Sequence, residues 1–274
     1  MDTKKYWKLL DKFSPRQEYK GNNINGIQWV NHFKSLFNDS NSNEIPYTTD
    51  RGHLDYEITA EELMDSSSIL KAGKAPGLDN VLNEMISSSL NYYPCIFLFL
   101  FNHILKGGGD IPDWALSLLV PIYKKGDPCD PANYRGISLI SCITKLFLNI
   151  LNKRLLNYCI QNKILAPNQL GFLPGNRTSD AHIILYNLID KYCHKGKSNL
   201  YTFFVDFSKA FDSLPREILF RKLVGYGITG KFLNIILNLY KNDKICIKIN
   251  DKMSHKIQVN KSVRQGCVLK PVTL

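Results

Sequence analysis

Apolar residues recur at helical spacing along much of this chain. Ile27, Val30, Phe33, Leu36 and Phe37 fall on one helical face. Asn25 precedes them, with Gln28 three residues on, which is the signature of a capping box. Thr59 and Glu62 repeat the device ahead of a helix running to about Leu70. The same spacing predicts helices up to Leu90, over Pro94 to Lys106, and over Ser141 to Asn162, the longest. Further helices are predicted over Asp180 to His194, capped by Thr178 or Ser179, then Pro215 to Val224 and Lys231 to Lys241. Leu116 to Tyr123 reads as a buried strand. Lys244 to Ile249 and Lys256 to Val263 alternate as hairpin strands. Asn38 to Gly52 is rich in Asn, Ser and Asp and reads as a linker, and Gly73 to Asp79 and Gly126 to Asn133 read as loops.

Composition narrows the class. The chain has 274 residues, of which 44% are hydrophobic, enough for one large or two modest folded units. Its most apolar run, Pro94 to Phe101, is far shorter than the ~20 residues needed to span a bilayer. It predicts a buried helix. The start, Met1 to Trp7, lacks the apolar core of a signal peptide. Seven cysteines form no Cys-x-x-Cys pair, which argues against a disulfide framework or a zinc module. A nuclear or cytoplasmic protein is expected, neither secreted nor membrane-spanning.

Charge changes the picture more. The formal net charge is +11. Residues 1–60 balance eight basic against eight acidic residues, so the whole excess lies downstream. Residues 241–274 alone hold eight basic and two acidic residues. Such a surface attracts phosphate backbones by counterion release, although charge alone fits a merely soluble basic protein equally well.

The segment Leu200 to Asp212 carries the candidate chemistry. A β-prone run, Leu200-Tyr201-Thr202-Phe203-Phe204-Val205, ends in Asp206. A strand-end carboxylate is one way to hold a divalent cation with oxygen ligands. It is also an ordinary solvated residue at a strand-loop junction. Asp212 follows six residues later.

Val205-Asp206-Phe207-Ser208-Lys209-Ala210-Phe211-Asp212 resembles the first catalytic motif of non-LTR (LINE-like) retrotransposon reverse transcriptases. Four more segments resemble that family, in its order. They are Gly73 to Asp79; Val120 to Asp127 leading into Asn133 to Leu139; Gln169 to Phe172 with Arg177 to Asp180; and Val263 to Cys267. The resemblance implies an α+β fold: a partial right-hand polymerase with fingers and an incomplete palm, the thumb absent. It would be helix-rich with a small antiparallel sheet. Residues 59–274 would form the partial reverse transcriptase domain, and residues 1–58 an N-terminal extension and linker preceding it.

The resemblance also assigns roles. Asp206 would be the catalytic carboxylate and a ligand of Mg2+, joined by the backbone carbonyl of Phe207. Phe207, Phe211, Gln265 and Gly266 would contact the nucleotide, Phe211 by blocking a 2′-hydroxyl. Arg177 and Lys74 would neutralise its triphosphate. Tyr134 and Arg135 would touch nucleic-acid backbone. The partners implied are an RNA template, a DNA primer and deoxynucleotides. The family's next motif, which ends in Asp-Asp, has no counterpart, since no Asp-Asp pair occurs in the sequence. Two ions held by Asp206 alone would lack compensating negative charge. The chain is therefore expected to be a fragment of an RNA-directed DNA polymerase that does not polymerise alone. The alternatives are a non-catalytic, basic nucleic-acid-binding protein, or a polymerase completed by another chain. The sequence departs from the family at Gly136, where Pro is usual, and at Val268 and Lys270.

Overall fold

The computed structural model describes residues 24–38, 48–107, 112–171, 173–196, 198–207, 214–249 and 252–263. Helix α1 (Gly26–Phe37) starts at the expected capping box. The Asn25 side chain accepts from the Gln28 N–H at 2.8 Å, and Gln28 returns the bond at 2.9 Å. Helix α2 (Ala60–Ser67) carries the second box at Thr59 and Glu62. Helices α3 (Asn83–Tyr92) and α4 (Pro94–Leu105) follow. Strands β1 (Leu116–Tyr123) and β2 (Tyr134–Leu139) form a hairpin. The long helix α5 is Cys142–Gln161, and α6 is Thr178–Ile189, continued by a π-turn over Asp190–Lys195. Helices α7 (Arg216–Gly225) and α8 (Gly230–Lys241) lead into β3 (Lys244–Ile249) and the short strands β4 (Lys252–Met253) and β5 (Ile257–Gln258).

The α+β class holds, but the sheet is not the small antiparallel one expected. It is a five-stranded mixed sheet in which β1 and β3 run parallel, Leu116 to Leu119 against Lys244 to Ile247. A parallel pair needs a crossover, and β2 with helices α5 to α8 supplies it. The strand expected over Lys256 to Val263 shrinks to Ile257–Gln258. Helix α6 begins two residues earlier than expected, with Arg177 at the cap position. Helix α4 is only half buried: Phe101, Ile104 and Leu105 face the core, while Ile96 and Phe99 face outward.

Two apolar clusters hold these elements. The larger surrounds α5, whose Leu146, Phe147, Ile150, Leu151 and Leu155 are sealed by α2, α4, α7 and α8. In the smaller one, Trp29, Phe33 and Phe37 of α1 cover one sheet face at Leu119, Tyr134, Ile245 and Ile247. Gly136 explains that close approach. A Cβ there would stand 2.9 Å from both Leu119 and Phe33 side-chain atoms, so the small residue lets α1 lie flat on the sheet.

Part of the expected linker is bonded into the fold. The Asp55 carboxylate accepts from the N–H groups of Lys231 (3.0 Å) and Phe232 (2.7 Å), capping α8. Thr48 and Asn234 exchange two hydrogen bonds, at 3.0 and 2.8 Å. From α5, Arg154 is 2% exposed and donates to the Glu62 carboxylate, and to the carbonyls of Leu54, Tyr56 and Glu57.

Candidate nucleic-acid interface

The loop Gly73 to Asp79 is pinned at both ends. The Gly73 N–H donates to Glu84 in the first turn of α3 at 2.6 Å, and Gly73 sits at φ +70°, which favours glycine. The N–H bond holds the Glu84 carboxyl below its ordinary value. At the other end Gly77 lies against the junction of β2 and α5. A Cβ on Gly77 would meet the Ser141 nitrogen at 2.7 Å and the Ile140 carbonyl carbon at 2.8 Å. Backbone cannot yield there as a side chain does. Gly77→Ala is expected to cost about 1–3 kcal/mol, as overpacking does. Urea unfolding of the variant measures this, and an unchanged midpoint contradicts the close crossing.

This contact sets the loop beside a fork in the sheet. The β1–β3 ladder ends at Leu119 and Ile247. Beyond it β1 continues paired to β2, and β3 continues paired to β4. Pro121 has no N–H to offer a ladder and stands two residues past the last pair. A cleft of about 550 Å³ opens here, walled by Pro76 and Gly77, by Val120 and Tyr123, and by Lys248 and Ile249. Exposed cations stand on the elements that build it: Lys74 on the loop, Lys124 and Arg135 on the hairpin, Lys248 on β3.

The site residues read from the sequence fall into three groups. Lys74 and Arg135 are exposed, as a phosphate contact requires. Tyr134 is not available in the same way. Its ring is buried, 4.8 Å edge-on from Trp29, and its hydroxyl donates to the Pro128 carbonyl at 2.8 Å. Burial first, and then the neighbouring Tyr123, raise its pKa, so it stays a neutral phenol. Alternation sends adjacent residues of β2 to opposite faces, which leaves Arg135 as the exposed member of the pair. Phe211, Gln265 and Gly266 lie outside the described residues, as does Asp212.

Asp206, Phe207 and Arg177 form the third group. The segment 200–207, contrary to expectation, is not a strand. No ladder reaches it among the described residues, and Phe203 is 93% exposed. An apolar alternation becomes a strand only where a neighbouring strand takes its backbone bonds. Asp206 is exposed on this segment. Arg177 is exposed at the start of α6, where its own N–H already donates to Asp180 at 2.6 Å. The Asp180 carboxylate thus occupies the helix end that would otherwise favour an anion. Among the described residues no hydrogen bond or ion pair joins Asp206 to Arg177 or Lys74, and no three His, Cys, Asp or Glu side chains stand close enough to hold a metal ion. A two-ion centre does not fit the residues that are described.

The forked sheet and the pinned loop bring two of the motif segments read from the sequence to one cleft. A family model for reverse transcriptase (RNA-dependent DNA polymerase) matches residues 122–274, more than half of the sequence. The chain belongs to the reverse transcriptase family, and within it resembles the non-LTR retrotransposon members. It is 27% identical over 218 residues to the probable RNA-directed DNA polymerase from transposon BS of Drosophila melanogaster, covering 78% of this chain and 24% of that protein. It is 25% identical over 224 residues to the probable RNA-directed DNA polymerase from transposon X-element of Drosophila melanogaster, covering 80% of this chain and 24% of that protein. It is 29% identical over 215 residues to the Pol polyprotein of the type-2 retrotransposable element R2DM from Drosophila melanogaster, covering 78% and 19%. The chain thus spans a quarter or less of the length of these relatives. No helix of the described residues is long and apolar enough to cross a membrane.

Proposed function

We propose that this chain is the fingers and first palm segment of a retrotransposon RNA-directed DNA polymerase, and that it holds nucleic acid without extending it. One observation carries the binding half. Two motif segments far apart in sequence, Gly73 to Asp79 and Val120 to Leu139, are locked together around one cleft that Lys248 also lines, and the same elements carry the exposed Lys74 and Arg135. The template or primer backbone runs past Lys74, Arg135 and Lys248. By resemblance, Asp206, Phe207, Phe211, Gln265 and Gly266 belong to the nucleotide side, with Arg177 as a further cation. Mg2+ is the family's usual ion, and Asp206 with the Phe207 carbonyl would be its first ligands. Among the described residues Asp206 is exposed and no cluster of three metal-ligating side chains surrounds it, too little to hold two ions, so binding without turnover is the reading proposed for them. We also infer that the folding unit starts at or before Ile24, rather than dividing at residue 58, because α1 and residues 48–58 are packed into it.

The test is binding of single-stranded RNA and of an RNA–DNA template–primer at two salt concentrations. Affinity is expected to fall with salt, with a log–log slope of about −0.7 per neutralised phosphate on single strands. The triple variant Lys74→Glu, Arg135→Glu, Lys248→Glu is expected to bind at least about tenfold more weakly with a shallower slope. Asp206→Ala is expected to bind as the parent does. Salt-independent binding, or full binding by the triple variant, overturns the reading.

A further inference from the structure

We propose that unpaired nucleic acid continues from the cleft into a second groove, between the start of α1 and the β3–β4 hairpin. The proposal rests on the binding reading above and extends its site. The groove measures about 880 Å³ and is walled by Ile27, Val30 and Asn31 on one side and by Ile249, Lys252 and Met253 on the other. The two depressions share their walls. Ile249 lines both, and on α1 Trp29 lines the cleft while its neighbour Val30 lines the groove. The step from one to the other is thus a single residue on α1 and none on β3. The hairpin wall is fixed beforehand. The Ser254 N–H donates to the Ile247 carbonyl at 3.0 Å, and the Ser254 hydroxyl accepts from the Ile247 N–H at 2.9 Å. Little ordering of this wall remains to be done when a ligand arrives.

Charge and polarity identify the occupant. Every fourth residue from 244 to 256 is a lysine, and all four are exposed. Lys248 lines the cleft and Lys252 lines the groove, so cations continue along the same path. Among the described residues that line the groove none is acidic. Phosphates are drawn to such a path by counterion release. The groove also presents apolar side chains to water, with Ile27 72% and Met253 65% exposed. A double helix keeps the faces of its bases stacked inside and would leave these two side chains without contacts. Unpaired bases can turn onto Ile and Met side chains while the phosphates beside them meet Lys252. An apolar protein segment would instead cover the Lys252 ammonium without offering it an anion.

Fluorescence anisotropy with a labelled oligouridylate of about 16 nucleotides tests this, beside a blunt duplex of it with its DNA complement. Lys252→Ala with Met253→Ala is expected to weaken single-strand binding about tenfold and to make the salt slope shallower by about 0.7, one phosphate contact. Duplex binding by this pair is expected to stay parental. Both side chains are exposed, so the melting temperature is expected to stay parental too. The same loss of charge in Lys222→Ala, on α7, is expected to leave single-strand binding unchanged. Photocrosslinks from a thiouridine-substituted oligonucleotide are expected on residues 25–31 or 252–255. Parental single-strand binding by the Lys252, Met253 pair overturns the groove, and the cleft reading still stands if the triple variant Lys74→Glu, Arg135→Glu, Lys248→Glu has lost binding. Full binding by that triple variant overturns both. An equal loss on the duplex, or crosslinks that avoid the groove because another protein segment fills it, also overturns the proposal.

Discussion

Arg154→Ala is expected to destabilise the fold by about 3–5 kcal/mol, the usual loss when one partner is removed from a buried charge pair. The guanidinium donates to both Glu62 oxygens at 2.7 Å and to the carbonyls of Leu54, Tyr56 and Glu57 at 3.2, 2.7 and 3.0 Å. It also stacks on the Tyr56 ring, 3.8 Å from the ring centre. The alanine removes all of these bonds and leaves a partly buried carboxylate without its cation. Residues 54–62 would lose their anchor on α5. Denaturant unfolding measures the loss, and Arg154→Lys, which keeps the charge but not the fork of donors, is expected to fall between.

The same pair predicts a pH dependence. Burial pushes the Glu62 carboxyl up, but the Arg154 hydrogen bonds, the Thr59 N–H and the Arg154 charge outweigh it and hold the group below its ordinary value. A carboxylate depressed in the folded state contributes stability above its unfolded pKa, about 4.3 for Glu. That contribution disappears as pH falls through the folded value. The stability gap between parent and Arg154→Ala is therefore expected to be full at pH 7 and to narrow on acidification below about pH 4.

A chain beginning at residue 59 is expected not to fold. It lacks α1, and with it the Trp29, Phe33 and Phe37 side chains that cover one sheet face. Burying three aromatics contributes about 1.5–3 kcal/mol each, a sum that rivals a whole domain's net stability of about 5–15 kcal/mol. It also lacks the Asp55 cap of α8 and the three carbonyls that Arg154 holds. Loss of near-ultraviolet circular dichroism and of a cooperative transition is the expected result. A cooperative, protease-resistant fragment would instead restore the division at residue 58.

The helices were legible because their signals are local. Both capping boxes, the apolar stripes of α1 and α8 and the apolar run of α5 lie within single stretches of sequence. Strand β2 was not, because Arg135 and Gly136 interrupt its apolar pattern and the reason for Gly136 lies on α1. The β1–β3 pairing joins residues far apart in sequence, and nothing local encodes its parallel sense. Residues 48–52 read as linker because Thr48, Asp50 and Gly52 are the types that face water. The same types bond to helix ends, as Thr48 does to Gly230 and Asp55 does to Lys231 and Phe232. For the candidate site, motif resemblance named Lys74 and Arg135, which are exposed on the loop and hairpin, whereas Lys248 and the cleft it lines come from a fork that only the folded sheet creates. Asp206 was read at the end of a strand. Its segment has the pattern of one but no neighbour among the described residues.

Binding without extension is the central claim, and primer extension tests it most directly. The purified chain is incubated with an RNA template, an annealed DNA primer, all four deoxynucleotides and Mg2+, with Asp206→Ala alongside. Both proteins are expected to retain the template–primer in a gel shift, and neither to lengthen the primer. Primer extension by the parent that disappears in Asp206→Ala contradicts the account, because it shows a working metal centre built on that carboxylate.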